Sequence, residues 1–180
     1  SLILLLTESI IVEFKRVQEV LSRMAEELGG VEIVIANAGV AERSHPGEGT
    51  FYLDRNVIEI NLLGAIATID AGTDILKKEG GGQIVGISSV AGFRGLSSTP
   101  AYSASKAALS TYMEGIRNKL KEHKIVVTVL NPGFIDTPIN THRKSRPFVI
   151  SAEKGARLMA DMIEKKIWSS AVPVWPWSFI

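Results

Sequence analysis

Gly86-Ile87-Ser88-Ser89-Val90-Ala91-Gly92-Phe93-Arg94-Gly95-Leu96-Ser97-Ser98-Thr99-Pro100-Ala101-Tyr102-Ser103-Ala104-Ser105-Lys106 decides how the rest of this chain is read. It closes an apolar run, residues 83–87, that reads as a short buried strand. Small residues then make a turn, and a helix begins with Thr99 as its cap. Pro100 suits the first turn, where its missing N–H has no intrahelical partner. Tyr102 and Lys106 stand four apart, so their side chains share one helix face. An ammonium beside a phenol favours the phenolate and lowers its pKa. Such a tyrosine can move a proton near neutral pH. Ser89, at the strand tip, can offer its hydroxyl to an oxygen placed near that phenol.

Working outward, strands and helices alternate. Upstream, residues 31–36 form a mostly apolar strand, as a parallel strand covered on both faces requires, and it delivers Asn37-Ala38-Gly39 into a loop. A helix over residues 52–78, broken near Gly64 or Gly72, carries Asn61. Before it, Thr7 or Ser9 caps a helix running to about Leu28, with Phe14, Val17, Val20, Leu21, Met24 and Leu28 at helical spacing. Residues 2–6 make a first strand. Downstream, the Tyr102 helix runs to about Glu122, with Leu109, Met113 and Leu120 among its apolar residues. Residues 125–130 are a β-branched strand that leads into Asn131-Pro132-Gly133-Phe134-Ile135-Asp136-Thr137. Residues 140–146 read as a polar, cationic flap. Ser151 caps a helix from Ala152 to about Lys166, and residues 171–174 make an edge strand that tolerates proline.

This pattern implies one α/β domain over residues 1–180: a three-layer α/β/α doubly wound parallel sheet with right-handed crossovers. In such sheets ligands bind beyond the carboxyl ends of the strands. Asn37, Ser89 and Asn131 all fall at that edge.

Composition narrows the function classes. The chain of 180 residues is 46% hydrophobic and 22% charged with a net charge of +1, which gives no electrostatic case for nucleic acid or an anionic membrane as partner. The absence of cysteine excludes disulfides and thiolate metal sites and is compatible with a reducing, cytoplasmic setting, the expected location. His45, His123 and His142 are scattered in polar stretches and read as surface residues, with no metal site. Residues 2–6 are too short to span a membrane.

Asn37-Ala38-Gly39, Asn61, Ser89, Tyr102-x-x-x-Lys106 and Pro132 to Thr137, in that order and each at a strand end or on a helix, resemble the short-chain dehydrogenase/reductase family. The resemblance covers nearly the whole chain and implies a Rossmann-like fold and an oxidoreductase using NAD or NADP on a small alcohol or carbonyl compound. By that resemblance Tyr102 is the general acid and base. Lys106 lowers the phenol's pKa and binds the nicotinamide ribose, Ser89 holds the substrate oxygen, and Asn61 anchors a water chain leading to Lys106. Asn37, Ala38 and Gly39 flank the adenine ribose; Pro132 and Gly133, with the Ile135 backbone and the Thr137 hydroxyl, meet the nicotinamide carboxamide. Relatives commonly form homodimers or homotetramers through the long helix and the Tyr102 helix, where Ala101, Leu109, Tyr112 and Met113 are candidates for burial against a twin.

Read as residues alone, several of these positions have plainer explanations. Asn61 could be a helix-packing amide, Asn37 to Gly39 a strand-to-loop turn, and Thr137 a helix cap after a Pro-Gly turn. Residues 90–97, 134–150 and the C-terminal tail must build the pocket, where Phe93, Leu96, Phe134, Ile139 and Phe148 suggest an apolar substrate.

The family's N-terminal strand, glycine-rich turn and helix, which cradle pyrophosphate, do not precede Leu2; Gly80-Gly81-Gly82 precedes a strand instead. The fold is therefore expected to be N-terminally incomplete, with residues 2–6 able to pair against 31–36 in place of the missing strand. A non-catalytic interaction protein that keeps the sheet but cannot hold the dinucleotide is the competing reading. A serine hydrolase is disfavoured, since Ser89 lies outside a nucleophile elbow.

Overall fold

The computed structural model describes residues 3–4, 14–140 and 145–178. Five parallel strands form the central sheet in the order β1-β2-β3-β4-β7. They are β1 (Ile3–Leu4), β2 (Ile33–Ala36), β3 (Gly82–Ile87), β4 (Ile125–Pro132) and β7 (Ser169–Val172). Between β4 and β7, the two-residue strands β5 (Ile135–Asp136) and β6 (Ile150–Ser151) pair with each other. β1 lies against β2 with Ile3 opposite Ile33 and Leu4 opposite Val34, the pairing anticipated for the N-terminal apolar run.

Strand side chains alternate between the two faces, and the core divides accordingly. On one face Val34, Ala36, Ile84, Val127 and Val129 pack against α1 (Phe14–Leu28), α3 (Ala65–Lys78) and α4 (Pro100–Lys121). On the other, Ile33, Ile35, Val85, Ile87 and Leu130 meet Leu158, Met159, Met162 and Ile163 of α5 (Ala152–Glu164). This is the expected three-layer Rossmann-like α/β fold.

Several boundaries differ from the sequence expectation. The long helix is not broken at Gly64. α2 (Phe51–Ile58) passes into a π-helical turn, Glu59–Gly64, and continues as α3. A π turn inserts one residue and re-aims the side chains around it, here centred on Asn61. β4 extends through Asn131 and Pro132. β7 pairs two residues earlier than expected, so Pro173 falls just past the strand and costs no ladder bond. Thr99 occupies the N-cap position of α4 without a side-chain cap, whereas Ser151 caps α5 by accepting from the Lys154 N–H at 3.2 Å. Leu109 and Met113 are fully buried in the chain's own core and are unavailable to a partner. The expected cap at Thr7 or Ser9 and most of the 140–146 segment lie outside the described residues. Among these residues no helix is long and apolar enough to cross a membrane.

Candidate active site

The carboxyl ends of β2, β3 and β4 open into a cleft of about 1000 Å³. Asn37, Ala38, Gly39, Ser89, Tyr102, Lys106, Pro132, Gly133, Ile135 and Thr137 all line it. Every site residue expected from the sequence therefore reaches one cleft except Asn61, which lies behind it.

Ser89 stands two residues past the end of β3, in extended backbone. Its Oγ accepts from the Ala91 N–H at 3.1 Å, closing a 3-10 turn over Val90–Gly92, and donates to the Pro132 carbonyl at 3.3 Å. Ser88 points the other way. It donates to the Lys106 carbonyl at 2.8 Å and accepts from Ser110 at the same distance. Ser110 also lies 3.4 Å from Asn131 Oδ1, and Asn131 reaches Ser169 Oγ at 3.4 Å. Side-chain hydrogen bonds thus tie β3 to α4, and α4 through β4 to β7.

Lys106 is 3% exposed, and its Nζ donates to the Ile87 carbonyl at 2.8 Å while standing 5.8 Å from the centroid of the Tyr102 ring. Burial disfavours the charged form and pulls the amine down to about 8. An ammonium carries three donors, and Ile87 takes one.

Asn61 is fully buried, and both its amide donors and one lone pair of its oxygen are used. Oδ1 accepts from the Val40 N–H at 2.8 Å, and Nδ2 donates to the Val40 carbonyl at 2.9 Å and to Ser105 Oγ at 3.2 Å. The loop after β2 is thereby pinned to α4. A Cβ added at Gly39 would sit 3.3 Å from both Asn61 Oδ1 and Lys106 Nζ, so glycine keeps open the gap between these two groups.

Leu96, Phe134 and Ile139 line the cleft as expected, while Phe93 and Phe148 are exposed. Arg94, within the 90–97 stretch expected to build the pocket, lines it too, and so do Ala152, Ala156 and Met159 of α5, which were not anticipated. Their small or flexible side chains look like ordinary helix filling in a sequence. Trp177, in the short helix α6 (Val174–Trp177), lies against Gly133, where a Cβ would be 2.1 Å from its Nε1. Phe134 and Phe148 each meet the Trp177 ring edge-to-face, centroids 5.9 Å apart. Among the described residues no group of three or more His, Cys, Asp or Glu could hold a metal ion.

Residues 8–147 match the family model for short chain dehydrogenases. An uncharacterised oxidoreductase of Mycobacterium tuberculosis (strain H37Rv) is 33% identical over 167 residues, covering 92% of this chain and 66% of the relative. The chain thus spans just under two thirds of that curated relative's length. Among solved structures, a short chain dehydrogenase from Mycobacterium paratuberculosis bound to NAD superposes with a TM-score of 0.79 at 26% identity, covering 90% of this chain and 69% of the other. A short chain dehydrogenase from Burkholderia cenocepacia in complex with NADP gives 0.77 at 26% identity, covering 89% and 67%. The matched region contains the whole Asn37, Asn61, Ser89, Tyr102 and Lys106 arrangement, and on these grounds the chain belongs to the short-chain dehydrogenase family.

Proposed function

We propose that this protein is an NAD(P)-dependent oxidoreductase that interconverts an alcohol and a carbonyl on a small apolar substrate, with Tyr102 moving the proton. The observation that carries this reading is the convergence of Ser89, Tyr102 and a buried, cationic Lys106 on one cleft whose opposite wall is apolar. Two of the solved relatives hold NAD and NADP respectively.

The residues present fit the nicotinamide half of such a cofactor. Lys106 keeps two donors beyond Ile87 for ribose hydroxyls. The backbone from Pro132 to Ile135 and the Thr137 hydroxyl line the same cleft for the carboxamide, and Asn37, Ala38 and Gly39 border its other side. When bound, the nicotinamide supplies or accepts hydride.

The chain's own residues handle the proton and the oxygen. The Lys106 charge near the Tyr102 ring favours the phenolate and makes the phenol a ready donor near neutral pH. The Ser89 hydroxyl turns from the Pro132 carbonyl, a long 3.3 Å contact, to the substrate oxygen. Asn61 holds Val40 and fixes one side of the gap at Gly39. A water in that gap would bridge Asn61 to Lys106 and return protons to the site.

The test is calorimetric titration of the native protein with NADH and NADPH, followed by absorbance assays with small ketones and aldehydes. Saturable binding and ketone-dependent loss of NAD(P)H absorbance are expected. Absence of both would leave the interaction-protein reading instead.

A further inference from the structure

Among the described residues three buried polar side-chain atoms lack a hydrogen-bond partner: Ser44 Oγ, Arg117 Nε and Trp177 Nε1. Of these residues only Trp177 lines the cleft. Its ring is 7% exposed, whereas Trp168 and Trp175 are 69% and 71% exposed. The indole N–H is a donor with no other use, and a buried donor without an acceptor loses its hydration for nothing in return. A site that needed only an apolar ring beside Phe134 and Phe148 would be filled better by phenylalanine. Gly133, which the indole edge abuts, directly follows Pro132, and the Pro132 carbonyl is the present acceptor of the Ser89 hydroxyl. The orphaned donor therefore abuts the residue next to the carbonyl that now occupies the Ser89 hydroxyl.

We infer that Trp177 is a specificity-determining residue whose indole N–H receives a second oxygen of the substrate, which makes the preferred substrates apolar carbonyl compounds with another oxygen acceptor beside the reacting one, such as diketones, hydroxyketones or keto esters. This rests on the oxidoreductase reading above. The N–H now abuts Gly133, so the ring turns out of its slot when the acceptor arrives. The weak edge-to-face contacts with Phe134 and the exposed Phe148 allow that movement.

The test compares the native protein with Trp177→Phe, using NADH or NADPH and two probes, propiophenone and 1-phenyl-1,2-propanedione. The native protein should favour the diketone, chiefly through KM, by about three- to tenfold, the worth of one neutral hydrogen bond. In Trp177→Phe the diketone-to-monoketone ratio of kcat/KM should fall by that same three- to tenfold, without a fall in Tm. By NMR, the Trp177 indole N–H resonance, assigned by its loss in the variant, should move downfield with the diketone and not with propiophenone. That readout decides the matter on the native protein even if neither ketone turns over, and if Trp177→Phe misfolds the resonance is assigned by elimination from Trp168→Phe and Trp175→Phe, whose rings are exposed. A shift with NADH or NADPH alone would identify the carboxamide as the acceptor and overturn the substrate assignment. So would an unmoved indole, or an unchanged preference in the variant, in a protein that binds NADH or NADPH. If neither dinucleotide binds, the oxidoreductase reading itself fails.

Discussion

The Lys106 ammonium donates to the Ile87 carbonyl, 2.8 Å away, across the junction between α4, which carries Tyr102, and the central strand β3. That single bond holds a buried cation at the carboxyl end of β3 and sets the height of Tyr102 one helical turn above it. Four sets of consequences can be measured.

Tyr102→Phe keeps the ring and removes the proton. Turnover in the native protein should fall by about 10²- to 10⁴-fold, the usual contribution of a general acid. The unfolding midpoint should barely move, because the ring stays in place. Near-normal turnover would sink the proton-transfer role.

Lys106→Met should lower turnover and weaken cofactor binding together, since one amine serves both phenol and ribose. It should also change how stability depends on pH. The amine titrates near 8 in the fold against 10.5 unfolded, so between these values the unfolded chain binds more protons and native stability rises with pH. A shift of this size corresponds to about 3 kcal/mol of charging cost below pH 8. The difference in urea midpoint between native protein and Lys106→Met should therefore narrow in the native protein's favour from pH 7.5 to 10. A pH-independent difference would show that Lys106 is not buried as a cation.

Asn61→Ala strips the Val40 N–H and carbonyl of their partners in a partly buried setting. Each unsatisfied backbone group costs about 1–3 kcal/mol. Denaturant unfolding should show a loss of about 2–4 kcal/mol, and Asn61→Asp should recover part of it by restoring the acceptor. A loss below about 0.5 kcal/mol would mean that water replaces the amide.

Gly133→Ala places a methyl group 2.1 Å from Trp177 Nε1. The backbone here cannot yield without moving β4, so the indole must leave. Tryptophan emission should shift to the red, and overpacking should cost about 1–3 kcal/mol. Unchanged emission would place the ring elsewhere in solution. Self-association has its own test. Phe51 and Tyr52 at the head of α2 and Leu63 in the π turn are exposed, and sedimentation at micromolar concentration should give the mass of a dimer or tetramer that Tyr52→Glu weakens. A monomer in the native protein would end that proposal.

The sheet was legible because β2, β3 and β4 are mostly apolar runs, rich in Ile and Val, that lead into Asn37, Ser88-Ser89 and Asn131-Pro132. Ser89, Tyr102 and Lys106 needed only the helical period and the strand end to be brought together. The π turn was not legible, because Glu59 to Gly64 has ordinary helical composition and a one-residue insertion leaves no mark in hydrophobic spacing. Leu109 and Met113 were misplaced for a related reason: period alone does not say which apolar stripe faces the sheet and which faces a neighbour. The α5 contribution escaped notice since Ala152, Ala156 and Met159 carry no chemical signature. Trp177 was visible only as part of an aromatic tail, because what gives it a place is Gly133, forty-four residues earlier.

The two faces of the sheet divide the cleft between them. Ser88, Ser110 and Asn131 bolt α4 to three strands, so the wall bearing Ser89, Tyr102 and Lys106 is cross-linked by side-chain hydrogen bonds. The opposite wall, made by α5 and the turn ending in Trp177, touches that framework mainly through apolar contacts. One wall can therefore change its residues without disturbing the other. A lineage built on this chain could acquire new substrates by exchanging Ala156, Met159 or Trp177 while its reaction chemistry stayed fixed.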